Sequence, residues 1–167
     1  LIALIATYFF LTPVNANELD FKLENVLNSD HRSPTNKSRD IFRNPKGTLK
    51  FFGLSTNSNV IEISPGRGWY TEIIAPIVYG KGRFSSAIYQ INDNSNPYLK
   101  KLDKIYREKL KSRPDIYGEV NLILIDPKKP KYDLIEKVDM VLTFRNVHNW
   151  AKAKSADNMF KFFFDSL

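Results

Sequence analysis

The sequence predicts an α/β fold with a mostly parallel sheet, and two observations support this prediction. From residue 58 onwards, short stretches rich in Val and Ile alternate with longer stretches whose apolar residues recur at the spacing of a helix. Strands and helices that alternate in this way form parallel sheets with helices on both faces. The chain has 167 residues, of which 43% are hydrophobic, and is therefore long enough for one domain with its own core.

Four strands and four helices follow from this alternation. The third strand is rich in apolar residues and is predicted to be buried. The strands are written NVIEIS (59–64), RFSSAIYQ (83–90), EVNLILID (119–126) and VDMVLTF (138–144). The helices are written GWYTEIIAPIVY (68–79), NPYLKKLDKIYREKLKS (96–112), YDLIEK (132–137) and SADNMFKFFFDSL (155–167).

The first 57 residues have a different pattern. Residues 1–16 combine a short apolar run with small residues at Val14 and Ala16, which is typical of a signal peptide cleaved after Ala16. The alternative is a buried or membrane-anchoring N-terminal helix. Residues 17–57 contain short helical patterns broken by prolines, and we expect a helical extension there.

Composition limits the classes of function. The formal net charge is +7 and cysteine is absent, which excludes disulfides and thiolate chemistry. A basic chain suits anionic partners, but the basic residues are widely spread, and export would remove a nucleic-acid partner. His31, His148 and Asp40 do not follow a known metal-ligand spacing, so no metal is expected.

The stretch VIEISPGRGWYTEIIAP, Val60 to Pro76, joins a strand to a helix through a turn with two glycines. Such a turn lets a ligand approach the backbone and the free N–H groups of the helix. The dinucleotide fingerprint requires a third glycine where Thr71 stands, and the lysine of a phosphate-binding loop is missing. A third design carries an acid in the strand, and Glu62 is such an acid.

The segment EISPGRG resembles motif I of the class I S-adenosylmethionine-dependent methyltransferases, (D/E)-x-G-x-G-x-G, with Ser64 at the first glycine position. Together with VDMVLTFRNVHNW and RDIFRNPKGTLKFFG, it resembles a family of exported methyltransferases. The resemblance implies a Rossmann-like domain at 58–167, S-adenosyl-L-methionine as the cofactor, methyltransferase activity and a periplasmic location.

The resemblance also implies a set of cofactor-binding residues. Glu62 would organise the turn and reach the methionine end of the cofactor, and the glycines would admit it. Gln90 stands where the family has an acid that grips the ribose, and Asp126 matches a position near the adenine. The full set is Glu62, Ser64, Pro65, Gly66, Gly68, Gln90 and Asp126.

The stretch RNVHNW follows the fourth strand, where ligands of open α/β sheets bind. His148 has a side chain suited to a general base, and Arg145 to holding an anionic substrate. With Asn146, these residues are the candidate catalytic set. The alternative is a polar loop with a capping Asn149 and a packed Trp150.

The resembling fold has seven strands, and four are predicted here. We therefore expect a C-terminally truncated domain with an open edge at its fourth strand, a poorly covered phenylalanine-rich last helix and marginal stability. A second functional hypothesis follows, in which the domain is a degenerate binding module without catalysis. The methyl acceptor, a small molecule or another substrate, and the oligomeric state are left open.

Overall fold

The computed structural model describes residues 14–130 and 137–167, which form nine helices and four strands. The helices are α1 (Val14–Asn28), α2 (Pro34–Lys37), α3 (Asp40–Arg43), α4 (Pro45–Phe51), α5 (Thr71–Val78), α6 (Pro97–Ser112), α7 (Pro114–Tyr117), α8 (Val147–Lys152) and α9 (Ala156–Ser166). The strands are β1 (Asn59–Ile63), β2 (Arg83–Tyr89), β3 (Asn121–Ile125) and β4 (Met140–Thr143).

The four strands form one sheet in the order β3-β2-β1-β4, and every pair is parallel. This confirms the predicted α/β fold with a parallel sheet. The strand order runs outward from β1 to β3 and then returns to the other side of β1 at β4. The carboxyl ends of β1 and β4 therefore flank the point where the order reverses, which is where ligands bind in sheets of this kind.

Side chains of β1 alternate between the two faces of the sheet. Ile61 and Ile63 belong to a buried cluster with residues of α8 and α9, including Trp150. Val60 lies on the opposite face, in a second cluster with residues of α1, α4 and α5. Because both faces are covered by helices, the central strand is buried along most of its length.

The segment predicted as a helical extension forms α1 to α4. Leu19 and Leu23 of α1 and Leu49 of α4 are buried in the cluster that covers α5. The extension thus shares one hydrophobic core with the sheet. Most of the predicted signal peptide, residues 1–13, lies outside the described residues, and the expected cleavage after Ala16 falls near the start of α1.

Two predicted elements differ from the structure or fall outside it. The third strand was predicted to be buried; Ile123 and Ile125 are buried, but Leu124 is 49% exposed because β3 is an outer strand of the four-stranded sheet. The predicted helix YDLIEK lies almost entirely in residues 131–136, outside the described residues.

In the last helix, Met159 and Phe162 are buried whereas Phe164 is exposed. In the described parts of the chain, no helix is long and apolar enough to cross a membrane.

Candidate functional site

A cavity of about 880 Å³ lies at the carboxyl ends of all four strands. Its walls come from the turn after β1, the segments after β2 and β3, the turn after β4, and the helices α6 and α8. The lining residues that the sequence had singled out are Ser64, Pro65, Gly66, Gln90, Asp126, Arg145 and Asn146. Parallel strands bring these residues together although they are far apart in the chain.

The turn after β1 has a backbone that suits glycine. Gly66 and Gly68 have φ angles of 64° and 74°, and Ser64 has a φ of 53°. Ser64 therefore adopts a left-handed conformation that glycine adopts more easily. The Oγ atom of Ser64 is buried and forms no hydrogen bond. This is an unpaired polar group beside the cavity.

Asn146 ties the turn after β4 to the turn after β1. Its Nδ2 donates to the carbonyl oxygens of Ile63 and Ser64, both at 3.3 Å, and to Oγ1 of Thr143 at 2.9 Å. The next residue towards β4, Arg145, also has a positive φ, of 64°. Strained backbone at both sides of one rim is typical of functional sites. Asn146 therefore positions the glycine turn.

Glu62 does not line the cavity. Its carboxylate is buried and accepts a hydrogen bond of 2.6 Å from Oγ1 of Thr71, the first residue of α5. The hydroxyl of Tyr106 bonds to the same Oγ1 at 3.1 Å and to the hydroxyl of Ser86. Burial raises the pKa of Glu62 to about 7, although the bond from Thr71 and the charge of Lys109 oppose the increase. Glu62 thus holds β1 and α5 together.

Gly68 faces Tyr106 and not the cavity. A Cβ atom on Gly68 would lie 2.9 Å from Cε2 of the Tyr106 ring. The ring of Tyr106 itself lines the cavity from α6. Gly68 is therefore required by the close approach of this tyrosine and by its own backbone conformation.

Replacing Gly68 by alanine is expected to lower the free energy of unfolding by about 2 kcal/mol or more, because the left-handed backbone costs about 1 kcal/mol and the contact with Tyr106 adds to it. Thermal unfolding followed by circular dichroism measures the loss. Gly80→Ala is a matched control, since Gly80 has a φ of 75° but no atom within 4 Å of its added Cβ. Equal losses in the two variants would contradict the packing role of Tyr106.

The segments after β2 and β3 contribute the other predicted cofactor residues. Gln90 is exposed at the end of β2 and lines the cavity. Asp126 also lines it, and its Oδ1 accepts from the backbone N–H of Lys128 at 2.9 Å, which is the turn role considered as its alternative. Asp103 of α6 is a further carboxylate in the lining, held by Nε of Arg107 at 2.9 Å. The sequence did not predict Asp103 as a site residue. The one signal for it was its position four residues after Leu99, which puts both side chains on the same face of α6.

The stretch after β4 forms the short helix α8. The sequence analysis had considered a polar loop here as the alternative to a functional site. Trp150 is buried, and its indole N–H donates to the hydroxyl of Tyr89 at 2.8 Å, joining α8 to the end of β2. Asn149 lines the cavity. His148 is exposed and is not among the lining residues, so the geometry gives its predicted role as a base no support. The described residues include no group of three or more His, Asp or Glu side chains placed to hold a metal ion.

Comparison with solved structures gives the class of fold. A SAM dependent methyltransferase from Aquifex aeolicus matches with a TM-score of 0.50 and 19% identity, over 70% of this chain and 54% of that chain. A methyltransferase from Podospora anserina bound to SAH has a TM-score of 0.43 and 14% identity, over 89% and 57% of the two chains. An O-methyltransferase from Bacillus cereus in complex with SAH has a TM-score of 0.42 and 16% identity, over 89% and 63%.

The chain therefore has the Rossmann-like α/β fold of the class I methyltransferases, and it spans about half the length of the Aquifex aeolicus protein. No protein-family model matches the sequence, and the search of curated proteins gave no match. At this level of identity the likeness defines the fold alone, and the function has to be argued from the site.

Proposed function

We propose that the chain binds S-adenosyl-L-methionine in the cavity and is a methyltransferase. The observation that carries this proposal is the glycine turn at the end of β1, which opens into a cavity formed by the ends of all four parallel strands. In this class of fold, ligands bind at the carboxyl ends of the strands, beside the point where the strand order reverses. The SAM dependent methyltransferase with the same fold supports the choice of cofactor.

The residues present fit such a cofactor. The cavity volume of about 880 Å³ lies within the range of roughly 300 to 1,000 Å³ found for small-molecule sites. Gly66 lines the cavity with open space where a Cβ would be, so the backbone can be approached closely. The unpaired Oγ of Ser64 supplies a hydrogen-bonding group beside it. Gln90 and Asp103 are two of the polar side chains in the lining that can bond to hydroxyl groups.

The bound cofactor would supply an electrophilic methyl group, so the chain has chiefly to orient the acceptor and exclude water. Asn146 fixes the glycine turn, and the Trp150–Tyr89 pair forms a rigid wall. An acceptor whose nucleophile is already deprotonated needs no base, which agrees with the exposed position of His148 outside the cavity lining.

Replacing Gly66 by valine is expected to weaken binding of S-adenosylhomocysteine (SAH) at least about tenfold, because the side chain would fill the space the cofactor requires. Isothermal titration calorimetry measures this affinity. Gly80→Val is the matched control, since it imposes the same left-handed strain at a φ of 75° but does not line the cavity. If Gly66→Val binds SAH as tightly as the unmodified chain, the turn is not the cofactor site.

Two observations favour the second candidate, a binding module without catalysis. Gln90 replaces the ribose-gripping acid, and Glu62 is enclosed by Thr71 and Tyr106 instead of facing the cavity. SAH binding without methyl transfer to any tested acceptor would support the module, whereas turnover of S-adenosylmethionine would exclude it.

We also propose that the chain belongs to the family of exported methyltransferases it resembles and reaches the periplasm after cleavage behind Ala16. N-terminal sequencing of the protein purified from its native host is expected to give Asn17 as the first residue. A protein that keeps the LIALIATYFF segment would contradict cleavage and favour a membrane anchor.

A further inference from the structure

Two carboxamide side chains lie next to each other in the cavity wall beyond the end of β4. Asn146 is the N-cap residue of α8, Asn149 follows three residues later, and both line the cavity. The backbone N–H of Asn149 donates to the carbonyl oxygen of Asn146 at 2.9 Å. Residues with this spacing lie on the same face of a helical turn. The wall after β4 therefore presents two neutral polar groups to the same part of the cavity.

The hydrogen bonds of Asn146 fix the orientation of its amide group. Its Nδ2 lies 3.3 Å from the carbonyl oxygens of Ile63 and Ser64 and 2.9 Å from Oγ1 of Thr143. The hydroxyl of Thr143 donates its hydrogen to the carbonyl of Ile63 at 3.2 Å, so Oγ1 accepts from Asn146. The reversed amide would place Oδ1 against three oxygen atoms that have no hydrogen to give it. Oδ1 therefore points away from the turn after β1.

Polar atoms of both carboxamides are left without a partner. An asparagine at a helix N-cap usually accepts a hydrogen bond from a backbone N–H of the first turn, but Asn146 does not. Within residues 14–130 and 137–167, neither Oδ1 of Asn146 nor the side chain of Asn149 forms a hydrogen bond, and neither is buried. Positioning of the glycine turn uses only the nitrogen of Asn146. It explains neither the free oxygen nor Asn149.

The two carboxamides adjoin the place proposed for the cofactor. Ser64 belongs to the glycine turn, and its carbonyl oxygen accepts the hydrogen bond from Nδ2 of Asn146. The side chain that holds this turn through its nitrogen thus leaves its oxygen for a second molecule beside it. A methyl acceptor has to meet the cofactor at such a boundary, because the nucleophile and the methyl group must be in contact for transfer.

We propose that Asn146 and Asn149 bind the nucleophilic group of the methyl acceptor and that this group is a primary amine. The assignment rests on the proposed methyltransferase function. Two carboxamide oxygens can accept both N–H groups of a neutral amine, which leaves the lone pair of its nitrogen free to attack. A hydroxyl group has a single hydrogen and must lose it for efficient attack, and a carboxamide is too weak a base to take it.

The transfer to an amine is balanced without a base from the protein. The nitrogen lone pair forms the new bond to the methyl carbon as the carbon–sulfur bond breaks, and the sulfur keeps the bonding electron pair. The sulfonium thereby becomes the neutral thioether of SAH. The methylated product is an ammonium ion, which releases a proton to water. This agrees with the position of His148 outside the cavity lining.

The test is a calorimetric titration of the full chain with SAH and with three SAH analogues in which a nitrogen replaces the sulfur and carries a short arm. The arm is 2-aminoethyl, 2-hydroxyethyl or propyl, so the three differ in the hydrogen bonds that the arm donates. The aminoethyl analogue is expected to bind at least about tenfold more tightly than the propyl analogue and about threefold more tightly than the hydroxyethyl analogue. Equal affinity for the aminoethyl and propyl analogues, or a preference for the hydroxyethyl arm, would overturn the proposal.

Variants assign the preference to the two residues, and the affinity ratio of the aminoethyl and propyl analogues is compared within each variant. Asn149→Ala and Asn146→Ala are each expected to lower this ratio at least about threefold. Asn149→Asp, which keeps an accepting oxygen, is expected to retain it. Val147→Ala is the control, because Val147 is exposed on α8 and does not line the cavity. An unchanged ratio in Asn149→Ala, or an equal loss in Val147→Ala, would overturn the assignment.

Binding of SAH separates this proposal from the proposed function. Asn149 is exposed and makes no bond to the glycine turn, so Asn149→Ala is expected to keep the melting temperature and to bind SAH within about twofold of the unmodified chain. SAH binding by the unmodified chain without a preference for the amine arm would overturn the amine subsite alone. Failure of the folded chain to bind SAH or any analogue would overturn the methyltransferase function and the subsite with it.

Discussion

Replacing Arg32 by methionine is expected to lower the free energy of unfolding by about 3 to 5 kcal/mol, because it removes a fully buried guanidinium that pairs with Asp40 and lies beside the buried carboxylate of Glu72. The side chain of Arg32 is fully buried, and its two terminal nitrogens each donate to Asp40 at 2.7 Å. Its Nε lies 3.8 Å from the carboxylate of Glu72, whose side chain is 1% exposed. Urea unfolding followed by circular dichroism measures the loss.

The size of this effect follows from the position of Glu72 at the centre of a network between elements. One oxygen of Glu72 accepts from Nδ2 of Asn36 at 2.6 Å, and the other accepts from Nζ of Lys109 on α6 at 2.7 Å. The backbone carbonyl of Glu72 bonds to the ring of His31 at 2.7 Å. The network joins the N-terminal extension to α5 and α6, so we expect the extension and the sheet to unfold in a single transition.

Lys46→Met is the control for Arg32→Met. Lys46 pairs with Glu24 at 2.7 Å, but both side chains are exposed, and such surface pairs contribute little. The control is therefore expected to unfold at nearly the same urea concentration as the unmodified chain. A comparable loss in both variants, or a separate early transition for the extension in the unmodified chain, would contradict the buried network.

The elements that the sequence predicted best are those with a strong local pattern. Alternation of apolar stretches located β1, β2 and the long helix α6, and the two glycines located the turn after β1. These features depend on neighbouring residues alone, and a single sequence contains that information. The left-handed backbone at Ser64, with a φ of 53°, was not predicted.

The features that the sequence did not predict depend on which segments meet in space. β3 was predicted to be buried because its composition is apolar, and only the strand order shows that it lies at an edge. Glu62 bonds to Thr71 of α5, which in turn bonds to Tyr106 of α6, and nothing in the local pattern marks Tyr106 as part of this network.

Replacing Glu62 by glutamine is expected to stabilise the chain at pH 8 by up to about 3 kcal/mol, because it removes a buried charge. Burial raises the pKa of Glu62 from 4.5 to about 7, so between these values the folded state binds more protons than the unfolded state. The contribution of Glu62 to stability is therefore present at low pH and is lost as the pH rises through this window. The amide oxygen of glutamine can still accept the hydrogen bond from Thr71.

Urea unfolding of both proteins at a series of pH values measures the difference between them. The difference is expected to be near zero at pH 4.5, to grow through pH 6 and to level off above pH 7, where the Glu62 of the unmodified chain is ionised in both states. Glu108→Gln is the control, since it makes the same substitution at an exposed position on α6. A variant that is destabilised equally at all pH values would mean that Thr71 and Lys109 compensate the charge fully. Stabilisation would instead show that the ionised carboxylate is destabilising at this position despite the bond from Thr71 and the charge of Lys109.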